Sequence, residues 1–155
     1  MLTPTQIDLV QDSFAAVVPR TAEAAAGFYG RLFELAPDTQ PLFRSDLATQ
    51  GRKLFLTLAT IVDALDHLER ILPAATALAE RHVRYGAREE HYAAVGAALI
   101  DMLRATLGVD FDGATQAAWS AAYTLLANHM IDSARAAQQV AVSANLVREV
   151  AACPH

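Results

Sequence analysis

The apolar residues of this 155-residue chain recur at intervals of three and four and nowhere alternate in twos. That spacing lays them along one stripe of a 3.6-residue helix, whereas strands need period two and β-branched clusters. An all-α fold is therefore expected. Prolines and glycines punctuate it. Thr3-Pro4-Thr5-Gln6 opens the first helix: Thr3 can cap, Pro4 takes the first helical position and Gln6 reaches back. Its buried side carries Ile7, Val10, Phe14 and Val17 until Pro19 stops it. A second helix, about Thr21 to Leu35, buries Ala25, Phe28, Tyr29, Leu32 and Phe33. Pro37 and Pro41 then bracket a tight turn that closes on Phe43.

Arg44–Thr49 is polar and loop-like, and a long helix follows from about Leu47 to Leu65, with Leu54, Leu58, Ile61 and Leu65 in register. Asp66–Leu68 connects it to the stretch Leu72–Tyr92, where Leu72, Ala75, Leu78, Ala79 and His82 share one face. After a break at Tyr85-Gly86 come helices of roughly Glu89–Leu107 and Asp112–Arg135. The first buries Tyr92, Val95, Leu99, Met102 and Leu103, the second Trp119, Tyr123, Leu126 and Met130. Residues 1–135 are expected to form one domain. Residues 136–155, with Val140, Val147 and Val150 loosely periodic, are expected to extend it as a helix that frays.

Composition excludes several classes of function. A net charge of −5 with no basic stripe argues against nucleic acid. No apolar run is expected to approach the ~18 residues of a membrane span, and MLTPTQIDL lacks the pattern of a secretory signal. A lone cysteine, Cys153, allows no internal disulfide, which suits a reducing cytoplasm. A monomer or weak homo-oligomer is expected. The 54% apolar content, against 19% charged, leaves room for an apolar guest inside a helical core.

His82 is where chemistry concentrates. An imidazole at the end of an apolar stripe needs a partner for at least one nitrogen. Two readings stand on these residues alone: a core histidine bonded to a carbonyl, or a metal ligand projecting from an apolar wall. Tyr29, on the buried stripe of the second helix, is by itself a core tyrosine. Gln50, four residues before Leu54, is by itself solvent-facing, and Phe43 is by itself a core plug.

As an ordered set, however, these residues resemble those of a globin, specifically the bacterial single-domain globins and the haem domains of flavohaemoglobins. The matching residues are Phe28-Tyr29, Pro37 with Leu42-Phe43, then Gln50, Lys53 and Leu54, then His82, Tyr92-x-x-Val95-Gly96 and Trp119-x-x-x-Tyr123. The match covers about Thr5 to Asp132. It implies a globin fold, a full-length helical sandwich around a haem pocket. It also implies haem b (iron protoporphyrin IX) held by His82 as the proximal iron ligand, with Phe43 flat on the porphyrin and Leu54 and Val95 lining its faces. Lys53 and Arg84 would pair with the propionates, Tyr92 would stand beside His82, and Tyr29 and Gln50 would face the bound gas from the distal side. His67, His91 and His129 are poorer candidates for the iron. With Gln50 in place of a distal histidine, a five-coordinate ferrous state is expected.

One feature departs from the resemblance. Flavohaemoglobins carry a proximal glutamate late in the last helix, and counting from Trp119 that position is Ala134 here. The charged relay that favours peroxide-like chemistry is expected to be missing. No dinucleotide fingerprint follows a strand, so electrons would come from a separate reductase. The implied functions are reversible, high-affinity binding of dioxygen and other diatomics such as carbon monoxide and nitric oxide, with nitric oxide dioxygenation or gas sensing as the alternatives.

Overall fold

The computed structural model describes residues 1–43 and 45–152. Arg44, the start of the expected loop, and Cys153 lie outside the described residues. Within them six α-helices are found and no strand: α1 Pro4–Val17, α2 Thr21–Leu35, α3 Leu47–Asp63, α4 Leu68–Arg84, α5 Glu89–Leu107 and α6 Gly113–Ala152. Short 3₁₀ turns, Val18–Arg20, Pro37–Leu42, Leu65–His67 and Gly108–Asp110, join most of them.

Local chemistry accounts for where the helices begin. Thr3 Oγ1 accepts from the Gln6 N–H at 3.1 Å while Gln6 Oε1 accepts from the Thr3 N–H at 3.0 Å, so two otherwise orphaned donors are satisfied at the start of α1. The Asp46 carboxylate accepts from the Thr49 N–H at 2.9 Å to start α3, and Asp112 accepts from the Thr115 N–H at 2.8 Å to start α6.

Several expectations are corrected. The helix bearing His82 begins at Leu68 rather than Leu72, and Pro73 lies inside it. That proline removes the N–H that would bond the Glu69 carbonyl, at a residue that is exposed rather than buried. Packing of Ile71, Ala75 and Ala79 holds the helix together across it. Leu65 is buried in a 3₁₀ turn and not in α3, which ends at Asp63. On the expected stripe of α4, Leu72, Leu78 and His82 are only half-buried. The last helix does not stop at Arg135: between Ala114 and Ala152 it contains neither Gly nor Pro, and α6 runs unbroken for 40 residues. From Gln138 to Arg148 its side chains are exposed. Finally, Glu89–Asp110 is long and apolar enough to cross a membrane by length and composition, with mean hydropathy 1.4, contrary to the expectation that no such run exists. Its small and aliphatic residues let α5 pack against α2, α1 and α6.

The helices sort into two packing units. α2 lies on α5 and α3, and α1 crosses α6, where the Trp119 indole N–H donates to Ser13 Oγ at 2.8 Å. Close approach of α2 and α3 depends on Gly51, since a Cβ there would stand 2.8 Å from Ala25 Cβ. These helices share the larger apolar cluster, which contains Val10, Phe14, Tyr29, Leu32, Phe55, Leu103 and Trp119. α4 packs chiefly on α6 and builds a second cluster from Ala75, Ala79 and Met130. Contact between α3 and α4 is slight.

Candidate functional site

The two apolar clusters do not merge, and the side chains at their margins are left half-buried. On the larger cluster these include Phe43, Leu54, Leu58 and Val95, and on the smaller one Leu78 and Tyr92. The boundary crosses α5 between Tyr92 and Val95, residues one turn apart on one helix face. Two apolar margins, carried by α3 and α4, which scarcely touch, and both continued onto α5, form walls able to enclose a flat apolar group.

His82 stands on the α4 wall. Its Nδ1 lies 2.7 Å from the Leu78 carbonyl. A carbonyl can only accept, so Nδ1 carries the proton and Nε2 presents a bare lone pair. Burial pushes the imidazole below its ordinary pKa of 6.5, outweighing the Leu78 hydrogen bond, and Arg81 acts in the same downward direction. A neutral imidazole with a fixed tautomer and an unengaged Nε2 is the form that binds a metal. Behind it opens a cavity of about 290 Å³, whose lining includes His82, Tyr92, Ala134 and Gln138. Ala134 is thus brought beside His82 and Tyr92, the location at which the missing carboxylate was expected, and Gln138 stands one turn further along α6.

Tyr29 and Gln50 meet in the other unit. The Tyr29 hydroxyl donates to the main-chain carbonyl of Gln50 at 3.2 Å, and burial pushes the phenol pKa up to about 12, so it stays a proton donor at neutral pH. The Gln50 side chain is half-buried and makes no hydrogen bond with a described residue. Phe43 turns its ring edge to Tyr29 (centroids 5.2 Å apart) and to Phe33 (5.7 Å). Lys53 and Arg84 are exposed, and neither forms an ion pair with a described residue. The other histidines among the described residues are otherwise engaged. His67 is exposed beside Asp66 and Glu69. His129 Nε2 lies 3.0 Å from Thr76 Oγ1 and 3.2 Å from the Leu72 carbonyl. His91 is buried and bonded through both ring nitrogens.

Two relationships were not foreseen from the sequence. A Cβ on Gly96 would lie 2.6 Å from Tyr123 Cε1, so the glycine admits the tyrosine ring, whose hydroxyl donates to the Tyr92 carbonyl. Burial, aided by the neighbouring Tyr92, raises the Tyr123 pKa. The second is an Asp38–Arg88–His91 cluster at the start of α5. Little in the sequence signals it, because Arg88 has no acceptor for a capping box and only the half in which His91 Nδ1 accepts from the Arg88 N–H forms. Asp38, Glu90 and His91 have the spacing of a metal site, but His91 Nδ1 accepts from the Arg88 N–H. Its proton is therefore on Nε2, and the Arg88 guanidinium already supplies the cation.

An all-α chain with a bare imidazole on one apolar wall and a phenol and an amide in the facing unit has the build of a haem protein of the globin class. The globin family model matches residues 26–130, and the chain belongs to the globin family. It is a bacterial globin similar to the haem domains of flavohaemoglobins. It is 32% identical over 147 residues to a flavohemoprotein of Bordetella parapertussis, covering 92% of this chain and 36% of that protein. To the flavohemoprotein of Vibrio cholerae it is 28% identical over 135 residues, covering 85% of this chain and 34% of that one. The chain therefore spans about a third of the length of these relatives. Among solved structures, a bacterial globin from Campylobacter jejuni superposes with a TM-score of 0.77 at 26% identity, covering 88% of this chain and 99% of that one. An engineered carbene transferase, made from a provisionally assigned nitric oxide dioxygenase of Rhodothermus marinus, gives 0.78 at 29% identity, covering 93% and 99%. Family membership makes this a haem globin. The apolar walls and the unengaged Nε2 fit such a group.

Proposed function

We propose that this globin holds haem b between α3 and α4 and reversibly binds dioxygen, along with other diatomic gases, at high affinity. The observation that carries the reading is the His82–Leu78 hydrogen bond, which leaves Nε2 as the one ring nitrogen available to iron. When bound, haem b supplies reversible coordination of a diatomic gas, with negative charge developing on dioxygen and much less on carbon monoxide.

The chain's own residues do the rest. Leu78 orients the imidazole through a carbonyl acceptor rather than a carboxylate, which withholds the electron push of a charged partner, while burial keeps the ring neutral. Phe43, Leu54 and Val95 exclude water from the porphyrin faces. Tyr92 borders the cavity behind His82. Lys53 and Arg84, both exposed, would pair with the propionates only weakly. Tyr29 and the Gln50 amide are the donors to the gas. Because the Tyr29 proton rests on the Gln50 carbonyl, which α3 also engages, it can turn to a charged acceptor at little cost. Each such bond is worth ~1–2 kcal/mol, so the pair slows oxygen loss by about one and a half to three orders of magnitude.

A second reading, nitric oxide dioxygenation with a separate reductase, is supported by the flavohemoprotein relatives and the Rhodothermus structure. Ala134 in the cavity lined by His82 weighs against it, because α6 offers no carboxylate there to strengthen the imidazole, and the carboxylates in that lining, Glu89 and Glu90, are paired with Arg135 and Arg88 instead. Visible spectra of purified protein, with and without reductant and carbon monoxide, test the haem reading. His82→Ala is expected to lose the Soret band of the five-coordinate ferrous form, and an unaltered band at full iron content overturns the assignment. Sustained turnover of nitric oxide with an added reductase separates the two functions.

A further inference from the structure

We propose that His91 is a positioning residue for the haem cleft: its bond to Asp38 ties the Pro37–Leu42 turn, and with it Phe43, to the start of α5. The role of Phe43 rests on the haem reading above, whereas the tie itself does not.

His91 is 5% exposed and uses both ring nitrogens. Its Nδ1 accepts from the Arg88 N–H at 3.0 Å, and Nε2 lies 2.8 Å from Asp38 Oδ2. A main-chain N–H can only donate, so Nδ1 is bare and Nε2–H must donate to Asp38. One imidazole thus does two separable jobs: it caps α5 through Nδ1 and reaches the Pro37–Leu42 turn through Nε2. The same Asp38 oxygen accepts from Arg88 Nη2 at 2.7 Å, and the carboxyl is held below its ordinary range, the His91 hydrogen bond being the largest cause. A second contact reinforces the first, since a Cβ on Gly86 would lie 3.3 Å from Leu42 Cδ2.

The tied turn touches both sides of the cleft. Toward α2 it is anchored by buried Ala36 and Thr39, and the Phe43 ring that ends it lies against Tyr29 and Phe33. Toward α4 it meets the Gly86 corner, where the Ala87 N–H bonds the His82 carbonyl at 2.9 Å. The Asp38–His91 bond therefore closes a strap from the wall with Tyr29 to the corner just after His82. Phe43 ends a six-residue turn, and anchoring on α2 alone would leave its approach to the cleft free to vary.

The two jobs come apart by substitution. In His91→Gln the amide nitrogen takes the place of Nε2 and keeps the bond to Asp38, losing the cap. In His91→Asn the amide oxygen takes the place of Nδ1 and keeps the cap, losing the buried His91 bond to Asp38 and leaving only the exposed one from Arg88. Asp38→Ala removes the tie from the other side. Two measurements read them: haem transfer from the loaded protein to excess apoglobin, and amide exchange at Thr39 and Phe43 in the haem-free chain. His91→Asn and Asp38→Ala are expected to speed both by about tenfold, and non-additively when combined, while His91→Gln stays within about threefold of the parent. If His91→Gln is as impaired as His91→Asn, or if no variant alters exchange, the tie is not what positions the turn and the proposal fails. A chain that takes up no haem overturns the haem reading instead, and the exchange data then judge the tie by themselves.

Discussion

Gly96 and Tyr123 occupy the same space: a Cβ on the glycine would stand 2.6 Å from Cε1 of the tyrosine. The ring fits only because α5 has no side chain there, and its hydroxyl then closes onto the Tyr92 carbonyl. A methyl at 96 must push a half-buried ring with a fixed hydrogen bond. Gly96→Ala is expected to cost about 1–3 kcal/mol, read as a lowered Tm. Gly27→Ala, on exposed α2 surface where a Cβ meets nothing within 4 Å, is the control and is expected to gain about 0.5–1 kcal/mol. Equal behaviour of the two would show that the ring yields freely.

Tyr29→Phe removes a buried phenol whose proton is held at neutral pH. The oxygen off-rate is expected to rise about tenfold, and the carbon monoxide off-rate by less than about threefold, because little charge develops on that ligand. Stopped-flow displacement measures both. An unchanged oxygen off-rate would mean that the hydroxyl never leaves the Gln50 carbonyl.

Ala134→Glu places a carboxylate on the wall of the cavity shared by His82 and Tyr92. A negative group there stabilises ferric over ferrous iron, so the reduction potential is expected to fall and the iron–histidine vibration to stiffen. Ala134→Gln, equal in size and neutral, is expected to leave the potential near that of the parent. If both substitutions shift it alike, volume rather than charge is responsible.

Acid stability follows from the aspartates. Main-chain and side-chain hydrogen bonds from Thr49 and Thr115 hold Asp46 and Asp112 below their ordinary pKa of 3.8. The native state therefore binds protons more weakly than the unfolded chain. The contribution of these caps is complete above the unfolded value and is lost as pH falls through the lowered native values. Asp46→Asn and Asp112→Asn, which keep a capping oxygen without a titrating group, are expected to flatten the acid limb of Tm against pH below about 4. A limb as steep as the parent's would assign acid unfolding to other carboxylates.

Much of this was legible in order along the chain. The helical period, the Thr3 box and the proline turn before Phe43 are local features, and local geometry alone settles them. The pattern Tyr29, Gln50, His82, Tyr92, Trp119 carried the family resemblance for the same reason, since each residue keeps its place on its own helix. Where local signals conflicted with packing, packing prevailed: Pro73 stays within α4 because Ile71, Ala75 and Ala79 are buried around it.

The sequence by itself determined an all-α chain and the residue types available to hold a flat cofactor. Tertiary structure alone decided that Tyr29 rests on the Gln50 carbonyl, that Gly96 makes room for Tyr123, and that Asp38 reaches His91 across 53 positions. The physical reason is range. Helical periodicity, and with it the His82 bond to the Leu78 carbonyl, is written into neighbours three and four residues apart, whereas Asp38 and His91 meet only because the fold brings two distant elements within 3 Å, and no spacing in a one-dimensional string encodes that distance.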